Sequence, residues 1–447
     1  MVNRTAVRDG PVESRRATHR PRNEMNPAAT PGPAVPSRRT HELRTGWPIL
    51  VAATLGAALG FPTLAVQTLG TFAPELHQAF GWSYSQVMLG LAVVTAVMLI
   101  TGPVAGWLCD RFDVRRVAVT SSLLLSCAFM GFAAANGSLD RYYGTWFLLA
   151  LLGAGSAQVS WTRAINQHFK VHRGLALGIA LSGVGLFALV GRVLASALVA
   201  AAGWRSAYII IGLLPALLLA PVAAWGLRQC TPGAVARVPA SGDSDTTGLN
   251  FAQALRCRQF WTLGVAFLPM SLALGGPIPN AENILLSHHF TRTAVASLVP
   301  WLGVTLIIGR VCGGWLADLI WVPLLASVLL SLTTVACLIL AKAVLSYPMA
   351  LVAILLLGAA VGAEIDLASY MVARYFGMKH YGLLYGTLYG PIACGAGLGP
   401  VIFARIFDRT GSYAPALVGA ALGLALSGAL FLSMGPYPGL QARPAAR

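Results

Sequence analysis

Five charged residues stand inside long apolar runs of this sequence: Arg163, Arg192, Arg310, Glu364 and Asp366. A charge at the centre of a bilayer costs about 3 kcal/mol or more, so each needs a partner, a ligand or a pathway to explain it. Arg310 lies sixteen residues into its run and four before Gly314, about half to two-thirds of the way across. A guanidinium at that depth can clamp a carboxylate through two parallel hydrogen bonds, or it can pair statically with Glu364 or Asp366. Those two acids lie in Gly362-Ala363-Glu364-Ile365-Asp366. Two positions apart on a helix point roughly 200° apart, so both cannot face one cavity. One is expected to face the pathway and carry a proton, and the other to pair within its own bundle; a static bridge to Arg163 or Arg310 is the competing reading. Arg192 is a candidate second contact for a carboxylate or a residue that shapes the outer vestibule, and Tyr385 and Tyr389, with Phe61, are candidates to line the site. Arg163 falls at a span end, where it can snorkel to the interface, and is expected to gate or to serve structure.

A second chemistry-bearing cluster is Gly106-Trp107-Leu108-Cys109-Asp110-Arg111-Phe112-Asp113-Val114-Arg115-Arg116. Asp110 ends a helix, where the dipole disfavours an anion, so it should seek Arg111, Arg115 or a partner on the other bundle, with Arg116 in the same basic cluster. A pair of that kind is a reversible latch. Residues 314–318 repeat the pattern as Gly-Trp-Leu-Ala-Asp, an offset of 208. The same offset superposes Gly174 on Gly382, Gly178 on Gly386, Gly191 on Gly399 and Gly203 on Gly411, which implies two halves descended from one unit. Asp318 is followed by Leu319, Ile320 and Trp321 in place of the arginines, so the second copy is expected to contribute less.

The elements that must position these residues follow from composition. Of 447 residues 56% are apolar and only 10% charged. A soluble chain carries about 25% charged residues, so a cytosolic enzyme is excluded. Twelve apolar stretches long enough to span a bilayer appear at roughly 46–72, 84–108, 116–137, 142–163, 174–201, 205–227, 259–283, 294–318, 323–341, 347–373, 381–406 and 411–433. They are continuous rather than alternating, which rules out a β-barrel. The net charge of +16 maps a topology: placing residues 1–45 in the cytoplasm puts 22 of the 31 Lys and Arg on that side, Arg237, Arg443 and Arg447 among them. Nucleic acid is therefore not an expected partner. The expected organisation is a disordered basic tail over 1–45, with Met25 as an alternative start, a six-helix bundle over 46–227, and a polar loop over 228–258 containing Pro232 and Pro239. A second six-helix bundle over 259–435 and a tail over 436–447 complete it. Seven scattered cysteines without a CxxC pair argue for core packing, and no nucleophile elbow, zinc spacing or phosphate loop appears, so neither cofactor nor metal is expected.

The 106–116 segment resembles the loop 2–3 signature of the major facilitator superfamily, with Asp113 standing where that signature usually has Gly. Phe80-Gly81-Trp82-Ser83, His172-Arg173-Gly174, Gly203-Trp204-Arg205 and Arg374-Tyr375-Phe376-Gly377 make the whole similar to its monocarboxylate and oxalate:formate porter branch. The resemblance implies an all-α integral membrane protein of twelve helices in two pseudo-symmetric bundles, a monomer moving a small organic anion through the lipid bilayer. It also implies that Arg310 binds the substrate carboxylate. The expected activity is proton-coupled monocarboxylate transport across the plasma (bacterial inner) membrane, both termini cytoplasmic. An organic-anion antiporter, a drug or metabolite efflux antiporter and a non-transporting sensor are the alternatives; the absence of a proline after Gly191 in span 5 counts against efflux.

Overall fold

A chain this poor in polar side chains folds in lipid by satisfying each backbone N–H within its own segment, which is what a helix does. The computed structural model describes residues 38–230 and 248–438. The expectations for residues 1–37, for the connection over 231–247 with Arg237, and for the end with Arg443 and Arg447 lie outside the described residues. The N-terminal helices are α1 (Arg38–Leu59), α2 (Thr63–Phe80), α3 (Tyr84–Arg111), α4 (Val114–Met130), α5 (Leu139–Gly153), α6 (Gln158–His168), α7 (Arg173–Leu181), α8 (Gly183–Leu214) and α9 (Ala220–Gly226). After the connection come α10 (Phe251–Leu255), α11 (Arg258–Gly275), α12 (Ala281–Ser287), α13 (Arg292–Ala317), α14 (Val322–Leu340), α15 (Tyr347–Phe376), α16 (Tyr381–Thr410) and α17 (Ala414–Leu432).

Among the described residues, nine stretches are long and apolar enough to cross a membrane, and one of them, Arg173–Gly226, is 54 residues long. That stretch holds spans 5 and 6, folded at Gly203, whose φ of 76° and ψ of 164° belong to a region open essentially to glycine alone. Spans 4 and 7 are not among the nine: span 4 is broken into the short α5 and α6, and span 7 is broken between α11 and α12, with Arg258 and Gln259 lowering the hydropathy of α11. The twelve spans expected are thus present, with different edges. Span 1 begins earlier than residue 46 and is interrupted at Gly60–Pro62, because Pro62 has no N–H to continue the ladder. The freed Phe61 N–H donates to Ser156 Oγ at 3.2 Å, so the breaks in spans 1 and 4 lie side by side.

Caps set several helix starts. Ser83 and Gln86 form a reciprocal capping box at α3. Asp113, the departure from the usual glycine, caps α4 by accepting the Arg115 N–H at 3.1 Å. Large apolar side chains such as Ile100, Val193, Leu217 and Leu422 point outward, as a lipid-facing surface requires. Inside the N-terminal half, Phe72 stacks on Tyr208 with 3.7 Å between ring centroids, and Phe129, Phe132, Tyr142 and Trp146 continue the cluster.

Gly203→Ala should lower the thermal unfolding temperature in detergent, because its backbone conformation costs any other residue about 1–3 kcal/mol. Gly144→Ala, at an exposed position within α5 with nothing near a new Cβ, should be neutral or stabilising in the same melt. Equal shifts for the two variants would contradict the fold at Gly203.

Candidate functional site

The side of the molecule that carries Arg111, Arg115, Arg116, Lys170, Arg173, Arg374 and Lys379 is its basic face, and there the two halves are closed against each other. Asp110, in the last turn of α3, accepts the Gly382 N–H on Oδ1 at 2.9 Å and the Leu383 N–H on Oδ2 at 2.8 Å. Those donors open α16 in the other half. Asp318, which follows α13, accepts the Gly174 N–H at 2.7 Å and the Leu175 N–H at 3.0 Å at the start of α7. Each acid sits badly at the end of its own helix and well at the beginning of another, where unpaired N–H groups and the positive dipole end meet it.

Two expectations change here. The cation on Asp110 is Arg163, which donates through Nη1 to Asp110 Oδ1. Arg163 is buried at 7% exposure and does not snorkel, because the break in span 4 turns α6 inward and carries its side chain to Asp110. Arg111, Arg115 and Arg116 form no ion pair among the described residues; Arg111 lies 6.0 Å from the Trp107 ring centroid, and Arg116 is exposed. The second copy makes the same two main-chain bonds as the first and lacks only the ion pair, since the 208-residue offset places Met371 where the first half has Arg163.

Glycines bring the backbones together at this closure. A Cβ on Gly106 would run into the Gly382 carbonyl, and one on Gly382 into that of Gly106; Gly174 and Gly314 oppose each other in the same way. One turn deeper, Gly102 meets Gly386 and Gly178 meets the Arg310 carbonyl. Beside this seam runs a tyrosine row on α16. Tyr381 donates to Thr162 Oγ1 at 3.1 Å and accepts from Asn166 Nδ2 at 3.1 Å, both on α6. Tyr385 stacks on Tyr381 at 5.6 Å and is fully buried. Tyr389 donates to Gln158 Oε1 at 3.4 Å and, with Phe61, Met98 and Thr101, lines a small cavity in the middle of the molecule. Tyr381 escaped the sequence reading, although its four-residue spacing from Tyr385 and Tyr389 signals it.

Deeper still lie the buried charges of α13 and α15. Arg310 donates through Nε to the Gly362 carbonyl at 2.9 Å and through Nη1 to the Leu181 carbonyl, which ends α7 in the other half. Asp366 Oδ2 is 3.8 Å from Arg310 Nε. Asp366 is 2% exposed, and neither of its carboxylate oxygens accepts a hydrogen bond among the described residues. Glu364 points away, toward α11, and accepts from the Ser271 hydroxyl. The opposed directions follow the helical spacing, but neither acid pairs with Arg163. Arg192 is exposed on α8, about 20 Å along the span from the level of Arg310 at 1.5 Å per residue, so it does not join Arg310 at one site here.

The model of the Major Facilitator Superfamily matches residues 50–388. The chain belongs to that superfamily. It is therefore a multi-pass membrane transporter rather than an enzyme. Human monocarboxylate transporter 11 is 28% identical over 306 residues, covering 66% of this chain and 60% of that protein. Bovine (Bos taurus) monocarboxylate transporter 13 is 27% identical over 388 residues, 86% of this chain and 88% of that protein. The crystal structure of the Escherichia coli fucose:proton symporter superposes with a TM-score of 0.65 at 15% identity, over 88% of this chain and 99% of that one. At that identity the likeness speaks for the fold alone.

Arg163→Met should leave Asp110 with its main-chain bonds but without its cation, at a cost of about 1–3 kcal/mol in detergent melts. Asp110→Asn combined with Arg163→Met should recover part of the loss, because no uncompensated charge then remains buried.

Proposed function

We propose that this transporter carries a small organic anion, a monocarboxylate, in symport with a proton. It does so as a monomer in the plasma (bacterial inner) membrane, with the basic face and both termini cytoplasmic. The observation that carries the reading is the buried guanidinium of Arg310 facing an Asp366 carboxylate that has no hydrogen-bond donor among the described residues. In a low-dielectric site one guanidinium cannot neutralise two carboxylates. A substrate carboxylate that takes Arg310 leaves Asp366 uncompensated, and the inexpensive resolution is a proton on Asp366. Anion and proton then enter together, and the pair is electrically silent within the site. Glu364, held by Ser271, is the acid that stays within its bundle.

The contacts of Asp110 and Asp318 act as the latch of alternating access. They hold the cytoplasmic end closed while the site loads from outside, and rocking of 46–227 against 259–435 breaks both pairs at once. Arg163 strengthens the first pair. Tyr385 and Tyr389 flank the loading site, and Arg192 acts further out as a cation of the outer vestibule. The names of the relatives, monocarboxylate transporters, support the substrate class.

Arg310→Ala should abolish carboxylate uptake into proteoliposomes, and Arg310→Lys should restore little of it, because an ammonium offers no planar fork. Normal uptake by either variant would sink the substrate assignment. Uptake by the unaltered protein should fall as the outside pH rises, since anion binding needs the protonated Asp366. Asp366→Asn should bind and exchange the anion without that pH dependence; a pH profile unchanged in Asp366→Asn and lost in Glu364→Gln would move the proton to Glu364.

A further inference from the structure

The residue that organises the α7 end of the closure lies outside both latch motifs. Glu42 stands in the second turn of α1, on the stretch that leads from the basic tail into span 1. Its Oε1 accepts the N–H groups of Lys170 at 3.2 Å and Val171 at 3.3 Å; its Oε2 accepts those of Val171 at 3.1 Å and His172 at 3.3 Å. These are the last residues before α7. The N–H groups of Gly174 and Leu175 go to Asp318. Of six consecutive main-chain donors from Lys170 to Leu175, five are thus divided between two carboxylates, one from the same half and one from the other.

The 208-residue offset places Asn250 where the first half has Glu42. There the connection between the halves does the same work with its backbone. The Leu249 N–H donates to the Phe376 carbonyl at 2.9 Å, and Gly248 pairs antiparallel with Gly377. Phe376 and Gly377 end α15, a few residues before α16, whose first N–H groups Asp110 accepts. In both halves, therefore, the segment that enters the first span holds the loop that precedes the gripped helix.

We propose that Glu42 is the positioning residue of the Asp318 contact. By gathering the 170–172 backbone it keeps the next two N–H groups aimed across the interface, and the Gly248–Asn250 segment does so for the Asp110 contact. Fixing a loop residue costs backbone entropy, and a brace that meets this cost in advance leaves more of each latch bond for closure. The inference rests on the alternating-access reading above and adds to it which chain segments set the balance.

The test reads opening of the cytoplasmic end in the full-length protein, without substrate. Ser369→Cys, a buried position on α15, is introduced into a background with the native cysteines replaced by serine. It is labelled with a membrane-impermeant maleimide in inside-out vesicles. Glu42→Ala should speed labelling about tenfold, the change that loss of one charge-assisted hydrogen bond makes to a two-state balance. Glu42→Gln, which keeps one acceptor oxygen, should give a smaller increase and guards against a folding defect, as does monodisperse elution of each variant. The effect of Glu42→Ala should vanish in an Asp318→Ala background and add in full to Asp110→Ala. Leu249→Pro, which deletes the donor to Phe376, should show the reverse dependence. Unchanged labelling in monodisperse Glu42→Ala, or full additivity with Asp318→Ala, overturns the brace alone. Unchanged labelling in Asp318→Ala and Asp110→Ala overturns the closure and the brace with it.

Discussion

An N–H group at the start of a helix has no acceptor within that helix, and when the helix start is buried between two halves of a protein, water cannot supply one. The closed basic face rests on that requirement. Gly382 and Leu383 open α16, Gly174 and Leu175 open α7, and in each case the acceptor is an aspartate from the opposite half. A helix start at such a place must be capped from across the interface or separate from it. The arrangement has two favourable positions and few between them, because a carboxylate withdrawn by a few ångströms loses both bonds together. Switching between states is a natural property of such a contact.

The halves share this closure but divide the remaining work unequally. The first half holds the larger aromatic cluster, from Phe72 through Tyr208 to Trp146, and the only arginine bonded to a latch acid among the described residues. The second half holds Arg310, Glu364 and Asp366, whose repeat partners in the first half are Gly102, Ser156 and Gln158. The repeat therefore supplies the frame twice, while the cluster of one cation and two acids stands in the second half alone. Arg310 also reaches the Leu181 carbonyl of the first half, so the guanidinium joins the ion site to the interface between the halves.

Much of this was legible in the sequence, and what was not has a common cause. Helical spacing alone separates Glu364 from Asp366, and the offset of 208 brings Asp110 and Asp318 into equivalent places. For Asp110 a partner was expected among the neighbouring arginines or on the other bundle, and only the arginines have an identity written in the letters; the partners of both acids lay across the interface. They proved to be main-chain N–H groups more than a hundred residues away, which every residue but proline possesses and no letter marks. Arg163 was expected to snorkel rather than turn inward, because the Ala154–Ala157 break in span 4 has no proline to announce it. Glu42 was counted as part of a disordered basic tail, since nothing in its sequence surroundings distinguishes a carboxylate that folds a loop from one that faces water.

The facing glycines at the seam have a consequence of their own. Gly106 against Gly382 and Gly174 against Gly314 leave the closed state no room for one more carbon on either side. Steric volume at these four positions thus acts on one state alone, since an added methyl group burdens the closed arrangement and is harmless once the backbones have parted. The resting balance of the molecule can be graded by bulk, independently of every charge that the cycle uses, and the missing side chains are as much a part of the switch as the aspartates beside them.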